Sequence, residues 1–247
     1  MGERLRNKVA IVTGASRGIG RSIAQALGRE GAAVAVNYRS NAAAAEEVVS
    51  RITADGARAI AVRADIAAAG AAETIFEQAE AHFGRVDILV CNAGVAAVMP
   101  LTAIADSDYE RIYGVNVRSL VFLLRAAAKS LNDQGRIVTL ASTVAAFPRE
   151  GMALYASSKA AVRALTEVAA IELGPRGITA NSVLPGLIET DMIAGLPPAQ
   201  RQAVSQSSPF GRIGVPEDIT GLVTFLASEE SRWITGQSIV ASGGARR

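Results

Sequence analysis

Short apolar runs recur along the chain, and between them lie longer stretches whose hydrophobic positions return every three or four residues. The runs predict strands near 8–13, 33–37, 58–63, 86–91, 136–141, 178–184 and 237–241. The intervening stretches predict helices over 18–30, 41–55, 68–83, 106–131, 152–174 and 216–228. Strands that alternate with helices in this way imply a parallel sheet with helices on both faces. Right-handed crossovers then give a doubly wound α/β sheet of about seven strands, whose ligand crevice lies beyond the carboxyl ends of the strands.

Two stretches break the alternation. Residues 94–105 form a connection of mostly small residues around Pro100, and residues 185–215 contain Pro185, Gly186, Gly195, Pro197, Pro198, Pro209, Gly211 and Gly214. The second predicts a mobile substrate lid over about 187–215, since long connections in a compact domain are often functional. No internal repeat or composition break marks a second unit, so residues 1–247 read as one domain.

Composition narrows the function classes. Half of the 247 residues are hydrophobic, enough for a substantial core. With 25 basic and 23 acidic side chains the net charge is +2, which provides no strong field for nucleic acid or a membrane surface. Arg4 and Arg6 at one end, and Arg246 and Arg247 at the other, read as solvated charges. Cys91 is the only cysteine, so no intramolecular disulfide forms and a cytoplasmic setting is expected. The first residues run into a strand without a signal-peptide pattern, and no run has membrane-spanning length. Gly2 does not fit a myristoylation signal, because Arg6 stands where Ser or Thr is required.

The first predicted strand ends in Thr13-Gly14-Ala15-Ser16-Arg17-Gly18-Ile19-Gly20 and opens directly into a helix. Gly14, Gly18 and Gly20 lack side chains where a chain must turn tightly, approach a pyrophosphate and pack a helix on a strand. The helix amino terminus can then receive phosphate charge. At the end of the second strand, Val36-Asn37-Tyr38-Arg39-Ser40 lacks the acidic residue that would hold a ribose 2′-hydroxyl. Arg17 and Arg39 would instead flank a 2′-phosphate, which favours NADP(H) over NAD(H); both also read as ordinary solvated charges.

Tyr155 and Lys159 stand four residues apart in the helix predicted over 152–174 and so share one face, a phenol beside an ammonium. An ammonium about 4 Å away at an effective dielectric near 20 contributes roughly 4 kcal/mol, enough to bring a phenol from about 10 toward neutral pH, with desolvation opposing. Ser142 follows the apolar run ending at Ala141, and Asn116 falls inside the helix predicted over 106–131. Each residue alone also has an ordinary structural reading. The lone histidine, His82, reads as a helix-end or surface group, and Trp233 as a packing or interface residue. No Cys/His cluster suggests a metal site.

Taken in order, the glycine turn, Asn92-Ala93-Gly94, Asn116, Ser142, Tyr155-xxx-Lys159 and Pro185-Gly186-Leu187-Ile188-Glu189-Thr190 resemble the short-chain dehydrogenase/reductase family across essentially the whole chain. The resemblance implies a single-domain Rossmann fold and interconversion of a ketone and a secondary alcohol. It makes Tyr155 the proton donor in reduction, Ser142 the group that orients the carbonyl, Lys159 the partner of Tyr155, and Asn116 a link in a proton relay. It also implies cofactor contacts from Ser16, Ile19, Asp65, Ile66, Asn92, Ala93, Gly94, Tyr155, Lys159, Pro185, Gly186, Ile188 and Thr190. Asp65 and Ile66 would meet the adenine, and Ile188 and Thr190 the nicotinamide side.

Within the family the chain is most similar to 3-oxoacyl-[acyl-carrier-protein] reductases, notably over Leu184–Met192. 3-Oxoacyl thioesters are therefore the leading expected substrates, with small ketones, sugars, polyols or steroids as alternatives and a non-catalytic nucleotide sensor as a further one. An acidic carrier protein would need a basic docking surface, for which Arg176 is the candidate. The dense basic cluster usual before the fifth strand is missing, and the ending Ala241-Ser242-Gly243-Gly244 departs from the customary asparagine-glycine-glycine. The resemblance further implies a homotetramer built on the helices predicted over 106–131 and 152–174.

Overall fold

The computed structural model describes residues 3–245; Gly2, Arg246 and Arg247, noted above, lie outside the described residues. Among these residues seven strands form one parallel sheet in the order β3-β2-β1-β4-β5-β6-β7. They are β1 (Val9–Val12), β2 (Ala33–Tyr38), β3 (Ala59–Arg63), β4 (Ile88–Cys91), β5 (Arg136–Leu140), β6 (Thr179–Pro185) and β7 (Ser238–Ala241). The chain winds outward from β1 through β2 to β3, then returns to the centre at β4 and winds the other way. The β1/β4 junction is therefore the switch point, with Val12 opposite Val90. Every residue of β1, β2, β4, β5 and β6 is buried, which is why β1 and β4 read as continuous apolar runs.

Alternate side chains feed two cores. Ile11, Leu89 and Ile137 point to one face, under α3 (Ala71–Phe83), α5 (Ser119–Ser130) and α6 (Ala153–Leu173). Val12, Val34 and Val183 point to the other, under α1 (Gly18–Arg29), α2 (Ala42–Ala54) and α8 (Glu217–Ala227). Leu27, Ile52 and Leu226 close that second layer, each at most 1% exposed.

Three details differ from the pattern expected. The helix predicted over 106–131 is divided: α4 (Asp106–Tyr113) passes into a π-helical turn, Gly114–Arg118, before α5. In that turn the Ser119 amide donates to the Gly114 carbonyl, five residues back, so one extra residue is accommodated without ending the helix. Helix α3 begins at Ala71 rather than 68, behind Gly70 at φ +77°. Residues 187–215 contain a helix of their own, α7 (Pro198–Ser207), which buries no residue. The segment is anchored at its base where Ile188 bridges Gly214 and the Glu189 amide donates to the Gly214 carbonyl at 2.8 Å. No helix among the described residues is long and apolar enough to cross a membrane.

Candidate active site

The glycine turn sits at the switch point because three buried or half-buried polar side chains hold it there. The Thr13 hydroxyl accepts from the amides of Asn92 (3.0 Å) and Ala93 (3.1 Å), linking the ends of β1 and β4. The Asn92 amide group donates to the carbonyls of Thr13 and Gly14 at 2.9 and 3.2 Å. Asn37, 1% exposed at the end of β2, accepts from the Gly14 amide at 3.2 Å and donates to Val62 and Ala64 at 3.2 and 3.1 Å. The turn is thus hydrogen-bonded across four strand ends.

No side chain would fit at these glycines. A Cβ on Gly20 would lie 2.4 Å from the Asn92 side chain and 2.5 Å from the Gly14 carbonyl. Gly14 has φ +62° and faces Ala93, while Gly18 has φ +53° and faces the Thr190 methyl at 3.3 Å. The α1 amino terminus carries no side-chain cap and no acidic residue in its first turn, so its N–H groups point out of the turn unopposed by negative charge. Ser16 is half-buried, its carbonyl accepting from Arg21, and Ile19 packs on the second core. These features fit a dinucleotide phosphate: a cradle without side chains, facing a helix amino terminus.

The arginines lie at the rim. Arg39 is exposed one residue beyond β2, and Arg17 stands 3.8 Å from Asp191, both side chains 76% exposed. Asp65 is exposed and accepts from the Ala67 amide at 3.1 Å, while Ile66 leans on the first core. Pro185 is buried opposite Ala241 at the end of β6. The Gly186 amide donates to the Ala241 carbonyl at 3.0 Å, and a Cβ there would meet Ser242 at 2.9 Å. Ile188 is buried; the Thr190 hydroxyl donates to its carbonyl at 3.4 Å.

The second group of residues gathers beyond β5. Lys159 is 5% exposed and donates to the Leu140 carbonyl at 2.6 Å, and its ammonium lies 6.0 Å from the centroid of the Tyr155 ring. Burial lowers the Lys159 pKa to about 8. Asn116 is fixed in the π-helical turn by a reciprocal pair with Val95, accepting from its amide at 2.8 Å and donating to its carbonyl at 2.9 Å. It also donates to the Ser158 hydroxyl at 3.0 Å, which in turn donates to the Tyr155 carbonyl at 2.8 Å. Gly94 separates the two functional groups: a Cβ there would lie 3.2 Å from the Lys159 ammonium and 3.3 Å from the Asn116 carbonyl oxygen. Ser142 caps the short 3-10 turn Thr143–Ala145, accepting weakly from the Val144 amide at 3.4 Å.

The expected direction of the Tyr155 shift is reversed. Burial pushes the Tyr155 phenol above its ordinary value, and a hydrogen bond with Ser142 draws it back only in part. The Lys159 ammonium is turned to the Leu140 carbonyl, and desolvation of the phenol prevails.

Other expectations are also revised. Arg176 is not at the mouth of the site. It lies before β6, at the amino ends of the strands, where it pairs with Asp133 at 2.8 Å and donates to the carbonyls of Ala128 and Leu131 at the end of α5. Trp233 does not pack within the chain, being 95% exposed. Cys91 is buried among these groups, its thiol pushed up to about 12 by burial. Asn37, Thr13 and Ser158 were not singled out from sequence. The visible sign of Asn37 was a polar residue inside an otherwise apolar strand.

A family model described as enoyl-(acyl carrier protein) reductase matches residues 14–246. An uncharacterized oxidoreductase of Methylorubrum extorquens is 44% identical over 98% of this chain and 99% of its own. The hydroxynaphthalene reductase-like protein Arp2 of Metarhizium brunneum is 39% identical over 98% and 96%. The crystal structure of the angucycline C-6 ketoreductase LanV with bound NADP superposes with a TM-score of 0.95 at 38% identity, covering 100% of this chain and 98% of that one.

Proposed function

This chain belongs to the short-chain dehydrogenase/reductase family, and on that premise we propose that it interconverts a ketone and a secondary alcohol with NADP(H). The observation that carries the reading is the convergence of Tyr155, Lys159 and Asn116 on the strand ends that also hold the glycine turn, with Gly94 in contact range of both Lys159 and Asn116. When bound, the nicotinamide supplies or accepts hydride at the substrate carbon. Burial keeps Tyr155 in its phenol form, the form that donates a proton to the carbonyl oxygen in reduction. Ser142 donates a hydrogen bond to the same oxygen and orients it. Lys159 holds positive charge beneath the phenol, and Asn116 keeps the turn beside Gly94 in place for proton return from solvent. In oxidation the same groups act in reverse.

For the cofactor, Gly14, Gly18 and Gly20 with the α1 amino terminus take the pyrophosphate, with Ser16 and Ile19 in the same turn. Arg17 and Arg39 take the 2′-phosphate, Asp65 and Ile66 the adenine, and Asn92, Ala93 and Gly94 the adjoining ribose. Pro185, Gly186, Ile188 and Thr190 line the nicotinamide side. NADP bound to LanV and the absence of an acidic residue at the end of β2 support preference for NADP(H). Residues 187–215 act as the lid of a single catalytic domain. We further propose a cytoplasmic homotetramer contacting through α4–α5 and α6, where Val121, Val168 and Ile171 are exposed; a monomeric mass in solution would refute it.

Two substrate readings have separate support. The similarity of Leu184–Met192 favours 3-oxoacyl thioesters, although Arg176 no longer supports docking of a carrier protein. The names of relatives, a hydroxynaphthalene reductase-like protein and an angucycline ketoreductase, favour ring ketones. The test follows NADPH and NADH oxidation with an acetoacetyl thioester and a panel of ketones, with Tyr155→Phe as control. Turnover with NADPH that is lost in Tyr155→Phe supports the reading; turnover that survives the substitution sinks it. NADH preference removes the roles given to Arg17 and Arg39.

A further inference from the structure

A cleft of about 490 Å³ lies along the β6–β7 side of the candidate site, a volume within the roughly 300–1,000 Å³ of small-molecule sites. Its walls adjoin the reacting groups in the chain: Phe147 follows the turn that Ser142 caps, and Leu187 and Ile188 follow Gly186 at the end of β6. Phe210 from the end of the lid segment and Val240 from the edge strand complete the apolar lining. These side chains are left open to solvent, Phe210 at 71%, Val240 at 44% and Phe147 at 38%. Two phenyl rings and a valine exposed around one concavity mark a surface built to be covered.

The polar lining offers little to a charged ligand. Arg212 and Asp218 neutralise each other through two hydrogen bonds of 2.5 and 2.8 Å, and the Asp218 carboxylate also accepts from the Val215 amide at 2.8 Å. Phe210 stands on a fixed base. The hydroxyl of Ser208, 7% exposed, donates to the Gly243 carbonyl at 2.8 Å and accepts from the Phe210 amide at 3.2 Å. Gly243 (φ +58°) and Gly244 (φ +81°) have no room for a Cβ, which would lie 2.9 Å from the Ser208 hydroxyl and 2.8 Å from Pro209 respectively. The unusual ending Ser242-Gly243-Gly244 is thus the surface against which this end of the lid segment is clamped.

We propose that this cleft holds the fused-ring body of a neutral cyclic ketone whose carbonyl is presented to Ser142 and Tyr155, and that Phe147 and Phe210 determine specificity for it. The proposal rests on the ketone-reductase reading above and selects its ring-substrate branch. A flat ring system matches two aromatic side chains that stack face-offset or edge-on and an apolar floor with no unpaired charge.

The test compares the wild-type chain with Phe147→Ala, Phe210→Ala and Phe210→Leu, using 2-tetralone as the ring ketone and an acetoacetyl N-acetylcysteamine thioester as the open-chain one. The expected result is a kcat/KM for 2-tetralone at least about tenfold above that of the thioester, falling about tenfold or more in each alanine variant, mainly through KM. The KM for NADPH should stay within about threefold, and the loss on the thioester should be clearly smaller than that on 2-tetralone. Phe210→Leu keeps an apolar wall without a ring, and so carries the test if a melt shows Phe210→Ala to be unfolded. Parallel loss on both substrates, or no loss on 2-tetralone, overturns the proposal. Thioester turnover without 2-tetralone turnover overturns it and leaves the ketone-reductase reading standing; no Tyr155-dependent turnover of either substrate removes both.

Discussion

The glycine turn and the 187–215 segment face each other across the candidate site, and they are held by opposite means. The turn is fixed by uncharged groups, Thr13, Asn37 and Asn92, each bonded to backbone at the ends of neighbouring strands. The opposite segment is anchored at its base and at Ser208, and its remaining ties are ion pairs with exposed members: Arg201 with Glu189, Arg212 with Asp218 and Arg17 with Asp191. Buried neutral bonds are insensitive to salt and leave an unsatisfied group when broken, whereas exposed ion pairs contribute little and are screened. One side of the site is therefore fixed throughout, and the other can move at small cost only between its anchored ends.

Gly20→Ala would break the comparison most severely. Its methyl group would collide with a backbone carbonyl and with Asn92 together, so a loss of about 3 kcal/mol or more is expected in chemical denaturation, together with loss of NADPH binding by fluorescence titration. Thr13→Val is isosteric but strands two amides, those of Asn92 and Ala93. It should cost about 1–3 kcal/mol, with the same loss at low and high salt.

Lys159 is the charged exception on the fixed side, and its effect has the opposite sign. Its folded pKa of about 8 lies below the ordinary 10.5, so between those values the unfolded chain holds a proton that the folded chain has released. Stability therefore rises with pH through that window, and the burial cost is fully present below about 8. Lys159→Met should abolish turnover yet stabilise the fold at pH 7. The gain, on the order of 1–2 kcal/mol after loss of the bond to Leu140, should fade as pH approaches 10.5. A flat difference between the two melting profiles across pH would contradict this.

On the opposite side, Arg212→Gln should cost under about 1 kcal/mol, and the difference from wild type should vanish in about 1 M salt. Gly195→Ala should be the mildest: nothing lies within 4 Å of the added methyl, so denaturation should shift by less than about 0.5 kcal/mol. A large effect there would mean that 187–215 is packed as firmly as the turn.

The same division governs what could be read in advance. Val9–Val12 and Ile88–Cys91 are legible because a strand buried on both faces must be apolar throughout. The glycine turn is legible because only glycine fits there. By contrast, α7 buries nothing, and therefore leaves no apolar period to find. Tyr155 and Lys159 could be paired from spacing, but the direction in which Tyr155 titrates could not, because spacing carries no information on burial. Arg176 looked like a free charge in sequence and is instead spent on the carbonyls at the end of α5. Asn37 looked incidental, although a buried amide in an apolar strand always needs partners, and here it has three.

The π-helical turn at Gly114–Arg118 makes the chain sensitive to a kind of change that point substitutions do not probe. It stores one residue more than an α-helix of the same span, so deleting a single residue there would restore a regular helix through α4 and α5. The two helices would keep their faces, because the bulge alone absorbs the extra residue, but the residues within the turn would be repositioned. Asn116 would then face away from Val95 and Ser158. In a deletion scan this stretch should stand out as a place where the chain still folds and the chemistry stops.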